Sequence, residues 1–318
     1  MRTTTGILYA FIWATAAIAT KIGLVSSSPL LFASTRLFFA GIILFAIVYI
    51  ANRKYPFPKG KEWGNLIILG LLNSTIYVGC CFLSLDHVDS SIFNLLLTFN
   101  PFIVAFLCSI FLNRTIKRNE LVGMCLSALG LGIALYPYIN IINGTLFGFI
   151  TLGIGVFSMG IGSIYFSKIQ MRLPGIVVNT WQIILGSAMA IPLSFLLEPD
   201  YYFHLDVYFG FGLFWQVIVV SIIAMLLWFS LLKEDPVRAN NFLFLTPIFG
   251  YMLSAIFLGE TITNFHYIGA LFVIIGTVYS QMNRLGSKQS DSNIPGDAQI
   301  GAEAPINVQP EHLRNSSR

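Results

Sequence analysis

Two basic side chains, Lys21 and Arg36, lie inside long apolar stretches rather than at their ends. A cation at membrane depth costs about 2.5–3.5 kcal/mol on insertion scales, so it faces a bundle interior or a cavity. The chemistry open to such a pair is to hold a carboxylate or phosphate on a substrate. Lys21 shares a helix face with Ala17, Ala14 and Ala10, a small-residue face suited to close packing or to a cavity wall. The other reading is structural: Lys21 snorkels to the outer surface, and Arg36 pairs with backbone carbonyls or Asp86. Trp13, Asn73, Tyr77, Asn94, Trp181, Gln182, Trp228 and Asn240 join them as candidate substrate contacts, each a polar or amphipathic group within an apolar span. Any one of these serves equally as a helix contact or an interface anchor.

No Asp or Glu occupies the middle of a span, and His87, His204, His266 and His312 fall in loops or the tail. A proton relay through a membrane uses such groups, so coupling through a buried carboxylate is not expected. The same absence leaves no catalytic residues for an intramembrane protease or acyltransferase. Cys80, Cys81, Cys108 and Cys125 sit in apolar segments without metal-ligand spacing and read as packing residues. No metal site and no cofactor are expected.

The elements that would position these groups are membrane helices. Of the 318 residues 56% are hydrophobic and only 10% charged, against roughly a quarter charged in soluble domains. The formal charge of +4 comes without basic runs, which excludes a nucleic-acid partner. Ten segments of about 20 apolar residues fall at 6–25, 29–51, 63–83, 90–112, 118–137, 145–167, 174–197, 208–232, 236–258 and 261–282. Residues 6–20 have the outline of a signal-peptide core, but a retained first helix keeps the two halves matched. Pro101 and Pro247 fall within two of the spans, where each removes a backbone donor and is expected to kink its helix as a hinge or cavity wall. Asn94 and Thr98 share the face of Pro101, and Asn240 and Phe244 that of Pro247.

These prolines belong to an internal duplication. Residues 101–130 reappear without a gap at 247–276, matching Ile110-Phe111-Leu112 with Ile256-Phe257-Leu258, Gly123 with Gly269 and Gly130 with Gly276. Lys and Arg gather at one set of span ends, at Arg2, Arg53 to Lys61, Arg114 to Arg118, Lys168, Arg172, Lys233 and Arg238, while the other ends carry Asp86, Asp89, Glu198, Asp200, Asp206 and Glu260. Positive charge stays cytoplasmic, so both termini are expected there. Five helices per half is odd, so the second half enters the membrane inverted. The expected fold is an all-α membrane protein of ten transmembrane helices in two inverted five-helix repeats, 1–137 and 145–282, with a disordered cytoplasmic tail over 283–318.

Several of these residues resemble the EamA-type permeases of the drug/metabolite transporter superfamily. Gly6 to Gly23 with Trp13 and Lys21 is similar to the family's first helix, and Pro29, Arg36, Ala40 and Gly41 to its second. Pro247, Gly259-Glu260-Thr261-Ile262 and Gly269 resemble the fourth-helix signature, whereas Arg114 stands where the first copy often has glutamate. The resemblance implies a permease in a bacterial inner membrane that moves a small organic metabolite, such as an amino acid, by alternating access. Its partners would be that solute and the lipid bilayer, with a homodimer allowed. The rival class is a lipid flippase or a structural subunit of a membrane complex.

Overall fold

The computed structural model describes residues 2–51, 53–88, 93, 96–136, 145–169, 171–258 and 263–291. Helix α1 spans Arg2–Leu24, α2 Pro29–Ala51, α3 Lys61–His87, α4 Asn100–Phe111 and α5 Arg118–Leu135. The second half follows with α6 Leu146–Ile169, α7 Gly175–Leu197, α8 Val207–Leu232, α9 Pro236–Asn241, α10 Thr246–Leu258 and α11 Asn264–Asp291. Six of these, α1, α2, α3, α6, α7 and α8, are long and apolar enough to cross a bilayer, and Asn100–Phe111 and Asn264–Ser280 are shorter apolar helices. A bridge of strand type joins Ser27 and Phe203.

Large apolar side chains cover the outside as well as filling the core. Leu146, Leu196 and Phe106 point outward with more than 60% of their surface exposed, whereas Asn179, Gln182, Gln216 and Asn240 are fully enclosed. Lipid gives apolar side chains no reason to hide, so buried amides and close backbone contact hold such a bundle together. Gly123 on α5 faces Gly276 on α11, and Gly130 faces Gly269; a Cβ at any of the four would lie 2.5 Å from the opposing carbonyl oxygen. Between the two pairs Ser127 Oγ donates to the Val273 carbonyl at 3.3 Å. Partner numbers fall along α11 as they rise along α5, so the helices run antiparallel. Gly70 on α3 and Gly186 on α7 make a similar backbone-to-backbone approach.

The two proline-containing spans, 90–112 and 236–258, are each interrupted just before the proline. The first has a turn at Thr98–Phe99 before α4 begins at Asn100, and the second passes from α9 through a 3₁₀ turn, Phe242–Leu245, before α10 begins at Thr246. Pro101 and Pro247 therefore stand at the second position of a new helix, where a missing N–H leaves nothing unsatisfied. The break is in the same register in both halves. Helix α11 continues to Asp291 through Arg284, Leu285, Lys288 and Gln289, all good helix formers. Residues 292–318 lie outside the described residues.

Candidate substrate cavity

Two small cavities, about 40 and 30 Å³, meet in the middle of the bundle and share Trp13, Arg36, Tyr77 and Val78 as walls. The first extends to Thr20, Cys81, Phe82, Val220 and Thr246. The second reaches Tyr9, Asn73, Gln182, Ser221 and Trp228. The lining thus comes from α1, α2 and α3 in the first half and from α6, α7, α8 and α10 in the second.

Arg36 is buried and has no carboxylate partner among the described residues. One guanidinium nitrogen, Nη1, donates to Gln216 Oε1 at 2.5 Å, the group sits 5.4 Å over the Phe82 ring, and Nε has no partner. Asp86, the partner considered from sequence, is exposed. Gln216 is itself fixed by donating through Nε2 to the Ala16 carbonyl at 2.7 Å and to Thr20 Oγ1 at 2.6 Å. A buried cation whose companions are a neutral amide and a ring is electrostatically unfinished, which suits a site that receives an anion.

Aromatic rings form a ladder beside it. Trp228 stacks on Tyr9 (5.0 Å between centroids), Tyr9 on Trp13 (5.5 Å), and Trp13 lies parallel to Tyr77 at 6.4 Å with planes 10° apart. On the second cavity's far wall Asn73 Nδ2 donates to Gln182 Oε1 (3.3 Å), Gln182 Nε2 to Asn179 Oδ1 (3.2 Å), and Asn179 Nδ2 to the Ser221 carbonyl (2.9 Å). Gly162 makes room for Asn73, since a Cβ there would fall on the amide. The hydroxyls of Tyr9, Ser221 and Thr246 are buried without protein partners.

Of the sequence candidates, Trp13, Arg36, Asn73, Tyr77, Gln182 and Trp228 line the cavity. Lys21 does not. It is exposed near the end of α1, while Ala10, Ala14 and Ala17 pack inside, so a long stem at the helix end reaches out where its neighbours cannot. Trp181 also lies elsewhere, in an aromatic cluster with Trp63, Phe57 and Tyr49, whose hydroxyl accepts its indole N–H at 2.7 Å. Asn240 is enclosed, donating to the Pro236 carbonyl at 2.8 Å and accepting from Asn100 Nδ2, and so ties α9 to α4. Asn94 lies outside the described residues. Gln216 and Tyr9 were missed, although Gln216 is a lone amide in an apolar span by the same rule that picked out Gln182.

Comparison with known proteins decides the family. The EamA-like transporter family model matches this chain twice, over residues 3–136 and 146–281. The chain belongs to the EamA-like transporter family. Its relatives include the uncharacterized transporter YoaV of Bacillus subtilis, 26% identical over 83% of this chain and 91% of its own. The probable amino-acid metabolite efflux pump of Salmonella typhimurium is 24% identical over 85% of this chain and 91% of its own. A solved crystal structure shares the fold with a TM-score of 0.71 at 16% identity, covering 89% of this chain and 98% of that one. An EamA-like transporter is a permease and not an enzyme.

Both ends of this EamA-like transporter are clasped. At one end Arg114 binds Glu120 through two nitrogens (3.0 and 2.8 Å) and Asp235 at 2.7 Å, while Arg238 Nε reaches Glu120 at 3.3 Å. Burial works against the Arg114 charge, but the bonds from Glu120 and Asp235 outweigh it and hold the guanidinium above its usual range. At the other end the Glu198 carboxylate accepts the Leu30 and Leu31 N–H groups (2.9 and 3.1 Å) and so caps α2, and Asp206 accepts from Phe209 N–H and Ser26 Oγ (2.9 and 2.7 Å). Tyr202 closes this clasp, its hydroxyl donating to the Leu24 carbonyl at 2.6 Å.

The second clasp should respond to pH in a defined way. Burial, with Asp86 adding to it, raises Glu198 despite its two backbone donors, whereas the Phe209 N–H, then Ser26, hold Asp206 low, with His204 helping. Asp206 therefore adds stability above its ordinary value of 3.8 and loses it as pH falls through its lowered value. Glu198 has the opposite sign: its contribution is complete below 4.5 and is lost as pH rises through its raised value. Glu198→Gln, which keeps an acceptor for α2, should melt increasingly higher relative to wild type as pH rises above 4.5. A pH-independent difference in melting temperature would contradict this assignment.

Proposed function

We propose that this protein is a secondary carrier of a small organic metabolite, an amino acid or related solute, working by alternating access through the Arg36 cavity. The observation that carries the reading is a cavity built from both halves of the chain, holding an arginine with no carboxylate partner among the described residues and clasped at both ends. Its two lobes have room for little more than water, whereas small-molecule sites run to roughly 300–1,000 Å³. A solute would enter only when one clasp opens, which is the behaviour of an occluded carrier. The Salmonella relative, named as a probable amino-acid metabolite efflux pump, favours the same class. A flippase would call for a polar groove open to lipid. The large lateral depression beside α5, about 730 Å³, is instead walled by Phe102, Leu129, Ile133 and Phe265.

The carrier has ten transmembrane helices in two inverted five-helix repeats, 1–137 and 145–282, with both termini in the cytoplasm of a bacterial cell. Support comes from the glycine pairs. Shifting the Gly123–Gly276 contact by the 146-residue repeat offset gives Gly269 facing Gly130, the second contact observed. An in-plane pseudo-two-fold axis passing near Ser127 and Val273 has this consequence. Cysteines introduced at Asn143 and at Ser287 should be labelled from opposite sides of the membrane, and labelling of both from one side would contradict the topology.

A thermal-shift screen of the purified protein tests the function. Amino acids, phosphorylated sugars, nucleosides and cationic drugs would be compared, since a ligand of the native state raises the melting temperature by mass action. Stabilisation by at least one solute is expected; silence across these four classes and simple organic anions would count against a carrier.

A further inference from the structure

The geometry points to a flat organic monoanion as the substrate class, its planar body inserted between Trp13 and Tyr77 and its carboxylate on Arg36. This rests on the carrier reading above and replaces its amino-acid example with a simple organic anion. Three observations lead there independently.

The first is charge. Arg36 is the one charged side chain among the described residues that line either lobe. One negative charge is matched there, and a second would be buried without a partner. An ammonium group would meet only amide oxygens, hydroxyls and ring faces. A desolvated cation is held far better by a carboxylate than by these, so a zwitterion is disfavoured relative to a simple anion.

The second is the unused donor. Arg36 engages Gln216 through Nη1 while the buried Nε stays without a partner. Carboxylate binds a guanidinium side-on through two parallel N–H donors, which a single bond to an amide cannot do. Gln216 keeps its bonds to Ala16 and Thr20 when the arginine is engaged elsewhere, so its backbone anchor survives substrate entry.

The third is the ladder. Its widest step is Trp13 to Tyr77, 6.4 Å with planes 10° apart, and these two rings, unlike Tyr9 and Trp228, wall both lobes together with Arg36. A flat group sandwiched between two rings needs about 7–8 Å, two carbon contacts of roughly 3.5–4.0 Å each. Parting the two rings to that plane-to-plane spacing would admit an aromatic or conjugated body, but a puckered aliphatic ring would need more.

Four probes separate these features on the full-length wild-type protein in nanodiscs: phenylacetate, its neutral amide phenylacetamide, the zwitterion phenylalanine, and the non-planar anion cyclohexylacetate. Melting temperature and quenching of tryptophan fluorescence would be read together. Phenylacetate should bind tightest, with phenylacetamide and phenylalanine weaker by about tenfold or more and cyclohexylacetate by a smaller factor. In Arg36→Gln the preference for phenylacetate over phenylacetamide should vanish, and Arg36→Lys should restore part of it. The wild-type comparison stands even if a variant fails to fold. Phenylacetamide or phenylalanine binding as tightly as phenylacetate would overturn the inference. So would an Arg36→Gln protein that still prefers the anion. A neutral or cationic solute that stabilises the protein when none of the anions does would overturn this inference and leave the carrier reading intact. A protein that responds to no solute of any class would remove both.

Discussion

Gly123→Leu or Gly130→Leu should leave little folded protein, with the melting temperature lowered by about 10 °C or more, since overpacking of this kind costs roughly 3 kcal/mol or above. The cause is the class of atom in the way. A Cβ at either site meets the opposing carbonyl oxygen at 2.5 Å, and behind it the facing helix backbone at 2.8–2.9 Å. Backbone has no rotamer to change, so α5 and α11 must separate along their length, and the Ser127 bond to Val273 would be lost with the packing. Gly132 is the control. It lies on the same helix with nothing within 4 Å of its Cβ position, so Gly132→Leu should be near neutral. Fluorescence-monitored size exclusion and melting curves in detergent check this, and a Gly123→Leu protein with wild-type stability would show that the two helices do not pack this way.

Glu120→Gln should be the second severe change, lowering stability by about 3–5 kcal/mol. Its carboxylate is fully enclosed and receives two bonds from Arg114, one from Arg238, and the Lys117 N–H at 3.1 Å. The amide keeps the shape but not the charge. Arg114 would then lean on Asp235, and Asp235 already accepts the Val237 and Arg238 N–H groups at the start of α9. Removing one member of a buried ionic cluster leaves the others desolvated without compensation, which is why the loss exceeds that of a surface pair. Asp235→Asn, at a more exposed position, should cost less. A fall in melting temperature that is equal for the two variants, or absent for Glu120→Gln, would contradict the arrangement.

Much of this fold could be read from the residues because helix packing in a membrane depends on features that sequence displays. Gly123, Gly130, Gly269 and Gly276 stood at matched positions, and the structure turns that match into two contacts. Pro101 and Pro247 marked the breaks but not their form, since a proline ends one helix or opens the next according to where the chain before it turns. The site was harder. Periodicity assigns a residue to a helix face but not to a neighbour, so Lys21 and Arg36 looked alike, although one faces outward and the other meets Gln216 from a span 180 residues later. Trp181 and Trp13 were equally indistinguishable, and only the packing separates an aromatic cluster near Tyr49 from a wall of the cavity. Burial of Gln216 at zero exposure is a tertiary fact with no local signature beyond its residue type.

The most direct test of the account is counterflow in proteoliposomes. Vesicles containing the wild-type protein would be loaded with a small organic solute, diluted into a trace of its labelled form, and compared with vesicles containing Arg36→Gln at equal protein and equal melting temperature. The account expects labelled solute to accumulate transiently in the wild-type vesicles and not in the variant. Accumulation that is identical in the two, or lipid scrambling without any solute exchange, would contradict a carrier that works through the Arg36 cavity.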